Sequence, residues 1–275
     1  MTSVSGVRVV AWNPRRRAAR RGPLRRVGLP ARVDNFGDLI GPLVVRRMLG
    51  DLRVRPGRSR TRLLTVGSIL HLARPGDVVW GSGRNGKVPA ERHERGGLDV
   101  RAVRGPSTRA FLAERGVDAP AVYGDPALLL PLLVPELRDA AGTKRYARTH
   151  VPNLNDHAAW SGDPDVLAPT APLRECLERV VRSEFVYGSS LHGVIVAEAF
   201  GVPAMFAPSQ HEDVFKYHDY LSGTGRPEAQ VAGSVAEARA GRGYPPPAWD
   251  PAPLLAAFPW DLWGVESPPG RGEGR

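Results

Sequence analysis

Phe185-Val-Tyr-Gly-Ser-Ser-Leu-His-Gly-Val-Ile-Val-Ala-Glu-Ala-Phe-Gly-Val-Pro-Ala-Met-Phe-Ala207 decides the fold class. Phe185–Tyr187 is a β-branched and aromatic run and reads as a strand. Small residues follow, and then Leu191–Phe200, an apolar stretch of helical length. Gly201-Val-Pro closes that helix, and Ala204–Ala207 reads as a second strand. Strand, helix and strand in so few residues make a unit whose two strands must run parallel.

The same alternation extends outward in both directions. Upstream, Val7–Ala11, Leu63–Val66, Asp77–Trp80, Val100–Val103, Ala121–Tyr123 and Tyr146–Val151 read as strands. Leu39–Leu49 reads as a helix capped by Asp38 and ended by Gly50. Ser68–Leu72 is a short helix, and Pro106–Arg115 is a helix with proline in its first turn. Leu173–Ser183 is amphipathic, with Leu173, Leu177 and Val180 on one face and Arg174, Glu178 and Arg182 on the other. The expectation is an α/β protein built of parallel sheets with helices on both sides. The Pro-rich span Pro126–Pro135 is the natural hinge, giving an N-terminal unit over 1–130 and a second over 131–240. Residues 241–275 form a Pro/Gly-rich tail in which Trp249, Trp260 and Trp263 predict packing back onto the body, with a frayed end.

Composition removes whole classes. A chain of 275 residues that is 42% hydrophobic can bury a core, and 31 Gly with 27 Pro fall short of a low-complexity chain. The longest apolar stretch, Ala127 to Val134, is interrupted by Pro131 and is too short to span a bilayer. No secretory pattern opens the sequence, so a cytoplasmic location is expected. A single cysteine, Cys176, excludes a disulfide framework and any cysteine-based metal site. The histidines add no metal pattern, since His150 and His157, like His211 and His218, lie seven residues apart.

The net charge of +10 is carried almost wholly by arginine, the only lysines being Lys87, Lys144 and Lys216. Residues 1–62 hold sixteen arginines against Asp34, Asp38 and Asp51. The run from Arg15 to Arg26 is either a basic face for a polyanion or lipid head groups, or a solvated loop. It has no interleaved aromatics to stack bases, so nucleic acid is not an expected partner.

In open α/β sheets, ligands sit beyond the carboxyl ends of the strands, against helix N-termini. Five segments put polar residues or glycines there. Asp34-Asn35-Phe36-Gly37-Asp38 offers a donor in Asn35 and a carboxylate in Asp38, in what is equally an ordinary capped turn. Gly81-Ser82-Gly83 follows a strand and can wrap a phosphate through backbone N–H groups, though a plain turn has the same residues. Arg104 ends a strand just before a helix, placed for a bidentate contact with a carboxylate or phosphate. Asp125, in Gly124-Asp125-Pro126, is either a proton acceptor or a cap. The sharpest is Gly188-Ser189-Ser190-Leu191-His192-Gly193. It places an imidazole in the first turn of an apolar helix, with Ser189 or Ser190 to cap it.

Taken in order, these segments resemble the polysaccharide pyruvyl transferase family. The matching stretches are Val33-Asp-Asn-Phe-Gly-Asp38, Val66-Gly-Ser-Ile-Leu-His71, Gly76-Asp-Val-Val-Trp-Gly-Ser-Gly83, Val103-Arg-Gly-Pro-Ser107, Val122-Tyr-Gly-Asp-Pro-Ala-Leu-Leu-Leu130, Ser189 to Gly201, and Phe215-Lys-Tyr-His-Asp-Tyr220. They span roughly residues 33–226.

The resemblance implies two Rossmann-like halves with a cleft between them, as in glycosyltransferases of the GT-B type. It implies transfer of the enolpyruvyl group of phosphoenolpyruvate to a saccharide, or to its lipid-linked precursor at the membrane, as a cyclic ketal with release of phosphate. No further cofactor is implied. His192 corresponds to the family's general acid and Arg104 to a donor-binding arginine. Asp38 or Asp125 would take hydroxyl protons. Asn35, Gly81, Ser82, Gly83, Ser189, Ser190 and Lys216 complete the expected binding set. Many members carry arginine where this chain has Ser190, so Arg84, Lys87, Arg101 or Lys216 must supply that charge. A nucleotide-sugar glycosyltransferase of the same architecture and a non-catalytic polyanion-binding protein are the competing readings.

Overall fold

A computed structural model describes residues 2–12, 34–50, 52, 61–160 and 162–265, with the backbone alone at 15–17 and 30–32. The strands are β1 (Thr2–Val4), β2 (Val7–Val10), β3 (Arg15–Arg17), β4 (Pro30–Arg32), β5 (Arg62–Leu64), β6 (Val78–Trp80), β7 (Asp99–Ala102), β8 (Thr149–His150), β9 (Val186–Gly188) and β10 (Ala204–Phe206). The first sheet has the order β1-β2-β5-β6-β7, parallel throughout except for the β1–β2 hairpin. A second sheet, β10-β9-β8, is wholly parallel. β3 and β4 form a separate antiparallel pair.

The parallel α/β class read from the alternation is therefore what the chain adopts. Among the described residues both parallel sheets grow in one direction, and no reversal of strand order of the doubly wound kind is seen. The strands are shorter than expected. Ala121–Tyr123 contributes a single bridge from Tyr123 to Val103, and Tyr146–Val151 shrinks to β8 plus a bridge at Tyr146. The Arg15–Arg26 run lies outside the described residues apart from the backbone of β3, as does the tail beyond 265.

The helices are α1 (Phe36–Leu49), α2 (Pro106–Ala113), α3 (Leu130–Leu133), α4 (Pro135–Ala141), α5 (Leu173–Val181), α6 (Leu191–Ala199), α7 (Phe215–Gly223), α8 (Val235–Ala240) and α9 (Pro251–Ala256). α6 links β9 to β10 and, His192 and Glu198 apart, carries apolar or small residues on all its faces, so nearly all of it is buried. It packs on α1, on α5 and on a 3₁₀ turn at Pro126–Leu129. Val194, Ile195 and Val196 have no exposed surface, and each contributes about 1.5–3 kcal/mol of burial. Glu198 of α6 accepts from Tyr220 Oη (2.5 Å) and from Arg226 Nη1 (2.5 Å), which ties down the α7 end of the second half.

α1 begins at Phe36, three residues earlier than expected, because Asn35 is its N-cap and Asp38 falls in the first turn. Its first N–H, on Phe36, donates to the Pro169 carbonyl (2.9 Å), which pins this helix end to the C-terminal half. Pro42 lies inside α1 and has no N–H, so the Asp38 carbonyl loses its usual helical donor.

The Pro126–Pro135 span is not an exposed linker. Ala127, Leu128, Leu129, Leu130 and Leu133 are buried in the apolar cluster that also contains residues of α1 and α6. The tail does pack back, as its tryptophans predicted. The indole N–H groups of Trp249 and Trp263 donate to the Tyr123 and Val4 carbonyls (2.8 and 3.1 Å), and that of Trp80 donates to Leu254 in α9 (2.9 Å). Phe258 stacks on Trp263 and meets Trp80 edge-on. Among the described residues no helix is long and apolar enough to cross a membrane.

Candidate active site

Two helix N-termini meet at one cavity of about 240 Å³. α1 brings Asn35 and Asp38, and α6 brings Ser190 and His192. Lys216, in the first turn of α7, lines the same cavity, with Ser68, His71, Asn85, Lys87, Asn153 and Glu212. The N–H groups and dipoles of α1 and α6 favour an anion between them.

Ser190 is the N-cap of α6, its Oγ accepting from Gly193 N (3.3 Å). His192 follows in the first turn and is 9% exposed. Its position depends on Gly37, where a Cβ would collide with His192 Nδ1. On its other side, Nε2 lies 3.7 Å from Asp125 Oδ2. Both Nε2 and Oδ2 are buried, and neither has a hydrogen-bond partner among the described residues. Asp125 has no exposed surface; its Oδ1 accepts from Ala127 N (3.0 Å) as the cap of the Pro126–Leu129 turn. Asp125 therefore sits behind the imidazole, out of reach of a substrate.

Asp38 does line the cavity. Burial pushes its carboxyl up to about 7, against the opposing pull of His192, the Asn35 hydrogen bond and Lys216. Asn35 Nδ2 donates to Asp38 Oδ2 at 2.9 Å. A carboxyl balanced near neutrality beside an imidazole has the properties of an acid–base pair.

The cavity's fixed positive charge comes from lysine. Lys216 Nζ donates to Glu212 Oε2 (2.9 Å) and Lys87 Nζ to Oε1 of the same carboxylate (2.5 Å). Burial lowers the Lys216 ammonium from its usual range, partly offset by Glu212. Burial alone would raise Glu212, but Lys216 and Lys87 together hold it below the ordinary carboxylate range. Burial and the charge of Lys87 both lower the His71 imidazole. Of the four cations considered to stand in for an arginine at position 190, only Lys87 and Lys216 line this cavity. Arg84 lies over the Phe111 and Phe215 rings, and Arg101 is paired at the surface with Asp99 and Asp261.

Other expected residues lie elsewhere. Arg104 has no exposed surface and does not line the cavity. Its Nε donates to Asp219 Oδ2 (3.1 Å), Nη1 to Ser68 Oγ (2.6 Å) and Nη2 to the Arg84 carbonyl (2.7 Å). The guanidinium is a buried clamp between the first sheet and α7, and Gly83 leaves the room for it. The Gly81–Gly83 loop is likewise turned inward. Gly81 N donates to Ala102 O (2.9 Å), Gly83 N to Gly67 O (3.1 Å) and Ser82 Oγ to Gly67 O (2.9 Å). Its two glycine N–H groups are thus already used by the protein rather than held out to a phosphate. Ser189 does not line this cavity, and its Oγ donates to Asp156 Oδ2 (2.7 Å).

Sequence reading had not singled out Asn85, Asn153 or Glu212. Asn153 lies three residues beyond β8, so the strand-end rule applied to that strand would have found it. Glu212 stands four residues before Lys216, a charge spacing the sequence does carry, but its pairing with Lys87, 125 residues earlier, has no local signal.

Two comparisons bear on this arrangement. The family model described as polysaccharide pyruvyl transferase matches residues 95–210, which include Asp125 and His192. The succinoglycan biosynthesis protein ExoV of Rhizobium meliloti (strain 1021) is 29% identical over 224 residues, covering 74% of this chain and 67% of that protein. Both support the family to which the motifs point.

Proposed function

We propose, with the polysaccharide pyruvyl transferase family as premise, that the chain moves the enolpyruvyl group of phosphoenolpyruvate onto two hydroxyls of a saccharide. The observation that carries this reading is His192. It is an imidazole at the meeting of two helix N-termini, backed by a buried carboxylate and facing a cavity with two lysines.

Phosphoenolpyruvate carries a carboxylate and a phosphate, and both suit a cavity of helix N-termini, Lys87 and Lys216. Its methylene carbon must gain a proton before C2 becomes electrophilic. The Asp125 carboxylate lies 3.7 Å from Nε2, behind the ring, which leaves Nδ1, on the Gly37 side, to deliver that proton. One sugar hydroxyl then attacks C2 while Asp38 takes its proton; a carboxyl balanced near 7 suits that exchange. The C2–O bond to phosphate breaks and its electron pair leaves with phosphate. The second hydroxyl closes the ketal. Of the two hydroxyl protons, one balances that given to the methylene carbon and the other departs on phosphate. Asp125, fully buried, is the positioning residue in this scheme and Asp38 the base.

The reading keeps the two units, 1–130 and 131–240, as walls of the donor cleft in a GT-B-like arrangement, and a cytoplasmic enzyme that meets a lipid-linked acceptor at the inner membrane face. The test is acceptor-dependent release of inorganic phosphate from phosphoenolpyruvate, run beside turnover of nucleotide sugars. Phosphate release that requires a saccharide supports the proposal. Nucleotide release from a sugar donor, with phosphoenolpyruvate untouched, replaces it with glycosyl transfer.

A further inference from the structure

A second cavity, of about 390 Å³, opens on the other side of the β9–α6 turn. It lies at the carboxyl ends of all three strands of the second sheet, where His150, Ser189 and Ala207 line it. It is continuous with the site already described: Asn155 lines both cavities, and the adjacent residues Ser189 and Ser190 line one each.

Its chemistry differs from that of the first cavity. Among its described lining residues there is no lysine or arginine, whereas Lys87 and Lys216 line the first. Asp156 is its hub, accepting from Ser189 Oγ (2.7 Å) and Asn153 Nδ2 (2.5 Å), with His211 Nδ1 at 2.6 Å from its other oxygen. His150 is 1% exposed, stacked on Tyr187 at 4.8 Å, with Trp160 edge-on to it at 4.8 Å. Its Nδ1 is buried and has no hydrogen-bond partner among the described residues. Burial lowers that imidazole to about 4, so it stays neutral and offers an uncharged polar atom. The exposed Gln210 adds a side-chain amide.

A pocket of indole, imidazole, amide and one carboxylate, without a fixed cation, suits a ligand that is polar, hydroxyl-rich and uncharged. A trianionic donor would meet the Asp156 carboxylate there with no lysine or arginine among the described lining residues to offset it. We infer that this second cavity is the acceptor subsite, taking a neutral sugar residue whose hydroxyls reach past Ser189 toward His192. The inference rests on the pyruvyl transfer reading and adds to it where the acceptor lies and what class it is. The two lysines draw the anion to one side of the turn, and Trp160, Asp156 and Gln210 hold the sugar on the other.

The experiment uses the intact protein without turnover: saturation-transfer NMR and titration with methyl glycosides of glucose, galactose and mannose, and separately with phosphoenolpyruvate. At least one glycoside should bind. Trp160→Ala should weaken it tenfold or more and Gln210→Ala, an exposed change that spares the fold, several-fold. Both should leave phosphoenolpyruvate binding unchanged. Lys216→Ala should do the reverse. Failure of all three glycosides to bind, indifference of a bound glycoside to both variants, or its displacement by phosphoenolpyruvate overturns the subsite. The two readings fail separately. Glycoside binding that depends on Trp160, with no consumption of phosphoenolpyruvate, removes the transfer reaction and leaves a sugar site. Acceptor-dependent phosphate release that ignores Trp160 and Gln210 removes the subsite alone.

Discussion

Asp38→Asn is the change whose consequence can be worked furthest. The carboxyl of Asp38 moves from 3.8 to about 7 on folding, chiefly through burial. The native state thus binds this proton more tightly than the unfolded chain, and stability must fall as pH rises from about 4 to about 7. A displacement of about three pKa units corresponds to about 4 kcal/mol, and solvent reaching the cavity reduces this to about 2–4 kcal/mol. The asparagine keeps an oxygen to accept from Asn35 Nδ2 and cannot ionise. Urea unfolding of both proteins from pH 4 to pH 8 should show them close at the acid end. The variant should become the more stable by about 2–4 kcal/mol at pH 8, with the gap flat above pH 7. Turnover should drop about 100-fold or more, since the hydroxyl proton loses its acceptor. A gap that does not widen with pH, or one that narrows, refutes the assignment of Asp38 as a half-buried carboxyl held for catalysis.

Three further outcomes follow from the same geometry. Gly37→Ala drives a methyl group into the His192 ring; turnover should fall about 100-fold, and urea unfolding should show an overpacking loss of about 1–3 kcal/mol. Asp125→Asn keeps an oxygen to cap Ala127 but turns an amide toward the imidazole. Long-range proton–nitrogen NMR should show the His192 ring proton move from Nε2 to Nδ1, with kcat lowered far more than KM is raised. Arg104→Ala strands Asp219 in the interior, and chemical denaturation should register a loss of about 3–5 kcal/mol rather than a selective loss of donor affinity.

The parts legible in the sequence are those set by local rules. The β9–α6–β10 unit, the position of His192 in a first turn and its serine cap follow from strand propensity, small residues at the turn and an apolar helix. The packing of the tail followed from indoles too large to leave in water. What failed to show was set by distant partners. An arginine at the end of a strand has the same sequence whether it meets a ligand or a carboxylate 115 residues away, and Arg104 meets Asp219. Gly81 and Gly83 fit a phosphate loop as well as they fit a tight pass beside Pro126 and Arg104, and they do the second. Asp38 resembled a cap because Asp is a good one; the helix starts earlier because Asn35 takes that place and the Pro169 carbonyl receives the first N–H. The separation of Asp38 from Asp125, one in the cavity and one behind the imidazole, is tertiary information that no spacing carries.

The account turns on whether His192 gives a proton to the methylene carbon of phosphoenolpyruvate, and His192→Gln measures this most directly. The glutamine is close in size and polar but cannot act as an acid. With wild-type far-UV circular dichroism and an unchanged unfolding midpoint, acceptor-dependent phosphate release should fall about 100-fold or more. Release within a few-fold of wild type from a correctly folded variant would contradict the assignment of the imidazole as the proton donor.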